Sequence, residues 1–424
     1  MLTLSGIRVL DLSLQLPGPF CTMMMADHGA DVIKVDEPNP RVRNPFSAGE
    51  PGTSPADRYL NRGKRSLTLN LKSGEGREAF RKLAAGADVV VEGFRPGVAA
   101  RIGADYATLS AENPRLVYCS ISGYGQTGPM RDIAGHDINY TSYAGILGLC
   151  GHRDSPPVAP PVQIGDLFGG AMMALSGILM ALLGRQSSGK GTWLDISMTD
   201  GAMAMHAFNA AEYFSEGVSP KRGNMPLTGK YPCYNTYKCA DGGYVSIGPL
   251  EAWFWERMTR ALGREDLLSR QYADGEEAER TRAELGKVFA AKGRDEWVRF
   301  FREHDVCLSP VLSLSEALSH PNAQARRMVI EVESPLGGKE RQLGLPIKAA
   351  GAEEATPRRS PRLGEHDEEI LAGIGYTEAQ IGDLRAKDVI RGEVSRKGCR
   401  GRKRRSSFPF PRSRSGASCR SRSG

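Results

Sequence analysis

Six short runs rich in valine, isoleucine and leucine recur through the first half of the chain. They are IRVLDL (7–12), DVIKV (31–35), SLTLNL (66–71), DVVVE (88–92), LVYCSIS (116–122) and TWLDISM (192–198). Each is strand-length, and such near-continuous apolar character marks strands covered on both faces. The stretches between them read as helix. In PGPFCTMMMADHGA (17–30), Pro19 suits a helix start and Gly29 a helix stop. Further helices are expected near 76–85, 138–149, 168–183 and 200–215. Strands alternating with helices restrict the chain to an α/β fold built on a mostly parallel sheet.

The chain has 424 residues, enough for two or three domains. A first domain is expected over 1–216. The Pro-, Gly- and Lys-rich stretch 217–230 closes it. A smaller α/β domain is expected over 226–330. It carries the strands YNTYKCA and YVSIGP and amphipathic helices near 251–262, 276–291 and 294–304. Residues 340–390 return to complete the large domain, and Thr377 and Gln380 have capping-box spacing. The last 34 residues, 391–424, hold 12 Lys or Arg, eight Ser and a single acid, Glu393. That composition predicts a disordered tail. Arg402–Arg405 has the letters of a localisation or nucleic-acid patch, and a solvated tail is the plainer reading.

The formal net charge of +7 comes from that tail. The rest of the chain has 44 basic and 48 acidic residues. The main fold therefore has no electrostatic footprint for nucleic acid. Eight cysteines lie scattered with no Cys-x-x-Cys pair, which removes the usual zinc and thioredoxin signatures. No basic-then-apolar leader opens the sequence, and a reducing cytoplasm is the expected compartment. The longest apolar run, Phe168–Leu183, is about 16 residues. That is short for a membrane span and fits a buried helix.

Two motifs resemble nucleotide loops without their context. Gly123–Gly128 spells G-x-G-x-x-G after a strand, but Pro129 follows and no helix opens. Gly184–Gly191 nearly spells a P-loop, but has glycine at the magnesium position and runs from helix to strand. Both read as turns.

Three ionisable residues stand at expected loop-to-helix junctions, where binding groups are often displayed. They are His136 in AGHDINY, Asp166 in QIGDLFGG and Glu251 in SIGPLEAW. Each also has a plain structural role available. Asp166 suits a helix N-cap, Glu251 suits a helix dipole, and His136 suits a satisfied polar group.

The chain resembles the family III CoA transferases, and within them the branch that racemises 2-methylacyl-CoA thioesters. The resemblance rests on LPGPFCTMMMADHGADVIKVDEP, NRGKRSLTLNLKS, ADVVVEGFRPGV, NPRLVYCSISGYGQTGP and AGHDINYTSYAGIL. It continues through DLFGGAMMALSGILMALLGRQSSGKG, LDISMTDG, YNTYKCADGGYVSIGPLE and GEHDEEIL, about residues 4–389. It implies a large domain with a Rossmann-like sheet, a smaller α/β domain, and an interlocked-ring homodimer. The substrate would be an acyl-CoA, with coenzyme A part of the substrate and no separate cofactor or metal.

By the same resemblance His136 and Asp166 are the acid/base pair, and Glu251 orients the histidine. Arg95 contacts a CoA phosphate. Leu69, Asn70, Leu71 and Lys72, with the backbone of Gly135, Asp137, Ile138, Asn139 and Tyr140, form the CoA groove. Glu37 replaces an arginine often found in the racemases, and Lys34, Lys64 and Arg65 are the cations available to compensate. Val162 replaces an asparagine near the aspartate, and Lys230–Cys233 replaces a Gly-Ala-Pro-Tyr segment.

Racemisation needs a base on each face of the acidic α-carbon, which a His/Asp pair supplies. Backbone N–H groups near 136 and 166 would steady the enolate oxygen. Met198, Met203 and Met205 suit either a tolerant acyl surface or core packing. Two other readings use the same fold. One is a CoA transferase working through an aspartyl-CoA thioester on Asp166. The other is a non-catalytic acyl-CoA-binding protein.

Overall fold

The computed structural model describes residues 3–40, 52–348 and 357–392. The tail, with Arg402–Arg405, lies outside the described residues. All six expected strands form, mostly trimmed at their ends. They are β1 (Arg8–Asp11), β2 (Asp31–Asp36), β3 (Arg65–Thr68), β4 (Val89–Glu92), β5 (Val117–Ser122) and β6 (Thr192–Ser197). They make one sheet in the order β3-β2-β1-β4-β5-β6, and every neighbouring pair is parallel.

Side chains alternate across this sheet. Leu10, Ile33, Leu67, Val90 and Tyr118 enter one core, with Phe80 and Leu83 of the Gly74–Ala85 helix. Val9, Val32, Val89, Val91 and Cys119 enter the other, with Met23 and Met25 of the Pro17–Asp27 helix and Ile178 of the Met173–Ser188 helix. Apolar residues on successive positions are thus required by two covered faces.

The returning C-terminal segment completes the first core with Ile370, Leu371, Ile381, Leu384 and Ile390. It seals the free edge of β3. The Asp367 carboxylate accepts the Thr68 N–H at 2.7 Å and hydroxyl at 2.6 Å. Val389 O accepts the Asn70 N–H at 2.8 Å. The expected capping box forms, with Gln380 N–H donating to Thr377 and Thr377 N–H to Gln380.

Residues 235–310 carry an antiparallel sheet, β7 (Asn235–Lys238), β8 (Tyr244–Ile247) and β9 (Leu308–Pro310), in the order β7-β8-β9. Its core includes Trp255, Leu285, Phe289, Trp297 and Phe301. The sequence reading had only the first two strands, because Leu308-Ser-Pro is too short and too proline-marked to read as one. A hairpin, β10 (Val329–Glu333) with β11 (Lys339–Leu343), was also not foreseen. Gly337 and Gly338 turn it at positive φ.

The apolar helix is longer than the 16-residue run implied. A π-helical stretch, Gly165–Met172, runs directly into Met173–Ser188. The continuous 24 residues are long and apolar enough to cross a membrane by length and composition alone. In the fold they lie on the sheet, with Ala171, Ala174, Leu175, Ile178 and Leu182 in its core. Glycines set the closeness of that packing. A Cβ on Gly169 would sit 2.2 Å from Met198 O, and one on Gly201 would sit 2.6 Å from Gly169 Cα.

Candidate active site

Strand order reverses between β1 and β4, and in such sheets ligands bind outside the carboxyl ends of the strands at that point. Three chain segments converge there: Ser13–Pro17 after β1, Gly93–Pro96 after β4, and Gly123–Gly135 after β5. Arg95 is exposed on the second, and its charge acts on Tyr140.

Tyr140 is the centre of the next layer. Its hydroxyl donates to Gly135 O at 2.5 Å, and its ring meets Tyr124 edge-on at 5.3 Å. A Cβ on Gly123 would lie 2.4 Å from this ring, and one on Gly135 2.7 Å. Gly123 therefore serves close packing, and left-handed Gly125 and Gly128 make the G-x-G-x-x-G motif a turn. The P-loop look-alike is likewise a helix end, with Gly189 left-handed after Ser188 and β6 opening at Thr192.

His136 stands exposed at the start of the Asp137–Tyr143 helix, its backbone N–H accepted by Asn139 Oδ1 at 3.0 Å. The adjoining Asp137 carboxylate reaches across and accepts the Asp166 backbone N–H at 3.1 Å. That contact brings the segments carrying His136 and Asp166 together. Asp166 is not the N-cap. It lies inside the first turn of the π-helical stretch, where helical residues begin with Gly165. Such wide turns often occur at functional sites.

An N-cap carboxylate would be held low by backbone donors. Burial, and then the charge of Asp137, instead push the Asp166 carboxyl up to about 7. Two of the backbone N–H groups at this helix start are already taken. Asp137 occupies the Asp166 N–H, and Gln163 O occupies that of Leu167.

The compensating cations are corrected as well. Lys64 Nζ is wholly buried between Asp11 Oδ2 at 2.9 Å, Pro19 O at 3.0 Å and Asn61 Oδ1 at 3.1 Å. Lys34 is buried on Asp36 at 2.8 Å. Arg65 pairs with Asp31 and Glu369. These groups hold the fold and present no free charge to a phosphate. In the 69–72 segment, Leu69 is core, and its N–H and that of Asn70 are bonded internally. Lys72 is exposed and pairs with Glu37 at 3.0 Å. Ile138 is exposed, as is Asn139.

Glu251 belongs to the second sheet's unit. It stands at the N-cap of the Ala252–Ala261 helix, yet its side chain makes no capping bond. Its charge faces Tyr272 and Cys307. A cleft of about 1000 Å³ opens nearby, lined by Gly248, Cys307, Tyr234, Arg153 and Arg282 among others. Among the described residues, no hydrogen bond or ion pair joins Glu251 to His136 or Asp166. Of the methionines, Met198 is core, whereas Met203 and Met205 are about half exposed. Cys233, in the divergent 230–233 segment, is core.

Two residues were missed by the sequence reading. The Asp137 side chain, expected to act only through its backbone, sets the environment of Asp166. Glu92, closing a run of valines, is buried with its carboxylate on the Phe94 N–H at 2.7 Å. An acid ending an apolar strand was the available signal for the second.

The sequence profile of CoA-transferase family III matches residues 4–367. The human protein "Alpha-methylacyl-CoA racemase" is 36% identical over 392 residues, covering 92% of this chain and 98% of its own. "Succinyl-CoA:mesaconate CoA-transferase" of Haloarcula marismortui is 34% identical over 388 residues, covering 88% and 96%. A solved CAIB/BAIF family protein from Brucella suis superposes with a TM-score of 0.75 at 32% identity, covering 88% of this chain and 99% of that one.

Proposed function

The chain belongs to CoA-transferase family III, and from that premise we propose that it racemises 2-methylacyl-CoA thioesters by two-base α-proton exchange. The observation that carries this reading is the Asp166 carboxyl, pushed up to about 7 and tied through Asp137 to the segment bearing His136. A general acid or base works best when its pKa lies near the working pH. Asp166 can then be present in both forms, as a catalyst used in both directions must be.

In one direction the Asp166 carboxylate takes the α-proton and the His136 imidazolium delivers a proton to the opposite face. In the other direction the roles exchange. The thioester carbonyl carries the charge between the two steps as an enolate. Arg95, exposed beside Tyr140, is the proposed CoA-phosphate contact. We further propose that the enzyme works as a homodimer, with Glu251 of one chain orienting His136 of the other. Glu251's uncapped carboxylate supports this, as do exposed Phe214 (82%), Phe208 (79%) and Leu183 (68%). Light scattering on active enzyme is expected to give twice the chain mass; a single-chain mass overturns the shared site.

The transferase reading is favoured by one observation, the 34% identity to a succinyl-CoA:mesaconate CoA-transferase. Asp166 would then attack the thioester carbonyl and expel the CoA thiolate, leaving a mixed anhydride. The thiolate would attack the aspartyl carbonyl, releasing the first acid and leaving aspartyl-CoA for a second carboxylate. Incubation of one epimer of a 2-methylacyl-CoA in D₂O, without acceptor acid, separates the two. Deuterium at C2 with growth of the other epimer is expected. No exchange, with CoA passing to an added carboxylic acid, would install the transferase.

A further inference from the structure

Buried carboxylates in this fold often have a cation. Asp11 has Lys64 and Asp27 has Arg62. Glu92 is only 3% exposed and, among the described residues, has no ion-pair partner. A carboxylate buried without a cation is unfavourable unless its oxygens are hydrogen-bonded. One oxygen accepts the Phe94 N–H at 2.7 Å, and the neighbouring Ser120 hydroxyl favours the carboxylate form. Ser120 Oγ in turn accepts the Trp193 indole N–H at 3.0 Å. In the sheet register Glu92, the last residue of β4, stands opposite Ser120 of β5, and Trp193 reaches Ser120 from near the start of β6.

The turn that Glu92 grips is the one that carries Arg95. Beyond Phe94, Arg95 O accepts the Val98 N–H at 3.1 Å across Gly97, which is left-handed. The turn is thus held at both ends, while the Arg95 side chain between them is exposed and has no hydrogen-bond or ion-pair partner among the described residues. Such a side chain costs less to order on a ligand when its backbone is already placed.

We propose that Glu92 is a positioning residue for coenzyme A: its carboxylate holds the Gly93–Arg95 turn so that the Arg95 guanidinium meets a CoA phosphate at the switch point. The inference rests on the reading of Arg95 given above. A glutamine at 92 keeps the geometry, since its carbonyl can accept from Phe94 and its amide can donate to Ser120. A leucine keeps volume and removes the acceptor.

The test uses the full chain and two probes, CoA itself and a pantetheine thioester that lacks its phosphates. Glu92→Leu is expected to weaken CoA binding about tenfold, the usual effect of orphaning one hydrogen bond. It should leave the KM for the pantetheine thioester unchanged, and Glu92→Gln should restore CoA affinity. On an Arg95→Ala background, Glu92→Leu should have no further effect, because coupled residues are not additive. Equal weakening toward both probes would make Glu92 a structural residue only and overturn the inference. If Arg95→Ala leaves CoA binding intact, the Arg95 reading fails first, and with it the phosphate role. If Arg95→Ala weakens CoA binding and Glu92→Leu does not, the positioning role alone fails.

Discussion

Asp166→Asn is expected to slow α-proton exchange by about 10²- to 10⁴-fold, the range for losing a positioned acid or base, with no loss of folding stability. Asparagine has the shape of aspartate, and the contact to Asp137 uses the backbone N–H of residue 166, so the geometry survives. What disappears is the group that titrates at about 7. The stability sign follows from linkage. Because the folded pKa is raised above 3.8, the folded state disfavours the ionised form. That penalty grows as pH rises from the unfolded value through about 7. The neutral amide escapes it, so the variant should equal or exceed the parent in denaturant midpoint at pH 8. In the parent, both directions should follow the same pH–rate profile with one limb near 7, because the two reactive forms hold the same number of protons and the epimer equilibrium does not depend on pH.

Asp137→Asn supplies the control for cause. Burial is the larger influence on Asp166 and the Asp137 charge the smaller, so removing that charge should move this limb of the pH–rate profile partway toward lower pH. An unmoved profile in Asp137→Asn, or near-parental exchange in Asp166→Asn, would remove Asp166 from the chemistry.

Lys64→Met should cost about 3–5 kcal/mol of folding stability, because it leaves one member of a buried ion pair without its partner. Both side chains are fully inaccessible, and Lys64 Nζ makes three bonds, to Asp11, Pro19 and Asn61. Asp11 also accepts the Ser13 N–H at 2.9 Å, the Ser13 hydroxyl at 2.5 Å and the Thr22 hydroxyl at 2.6 Å. This knot ties the end of β1 to the first turns of the Pro17–Asp27 helix, one wall of the switch-point crevice.

Burial pushes the Asp11 carboxyl up, but Lys64, Lys34 and the two hydroxyls outweigh it and hold the group at about 2. The stabilisation tied to that depressed pKa is present above about 3.8 and is lost as pH falls through about 2. The deficit of Lys64→Met should therefore be largest near neutral pH and shrink on acidification, read by urea unfolding at several pH values. Adding Asp11→Leu should recover much of the loss, since an apolar pair in place of a buried ion pair is often neutral or better. A deficit below about 1 kcal/mol, in the range of an exposed pair, would show that the knot does not hold the crevice.

The local elements were the most legible part of this chain. Runs such as DVVVE and LVYCSIS are strands because β-branched side chains packed on both faces leave few other solutions. The Thr377/Gln380 capping box formed because its bonds are local. Leu308–Pro310 was illegible because it becomes a strand only by pairing with Val245–Ile247, more than sixty residues away. Lys64 and Arg65 misled for the same reason, since their carboxylates, Asp11 and Asp31, arrive from 53 and 34 residues off. Lys34 pairs with Asp36 only two residues on, but burial of both on β2 is a tertiary outcome.

His136 and Asp166 could be singled out from residue type and position, and Arg95 through the family resemblance, because the chemistry of each is carried by its own side chain. Their usefulness could not. The parallel sheet follows from alternating local patterns, but its strand order is a matter of which crossovers pack, and that order decides that Arg95, just past β4, stands where the order reverses. From its spacing alone Asp166 could equally have been a helix cap, which would have held its pKa low. Tertiary structure set it two residues past the N-cap, within the first turn, buried it and placed Asp137 against it, and its pKa rose because desolvation and a like charge both disfavour the ionised form. Composition and periodicity determine what a segment can become. Dielectric and distance determine what a titrating group does, and only the folded chain sets those.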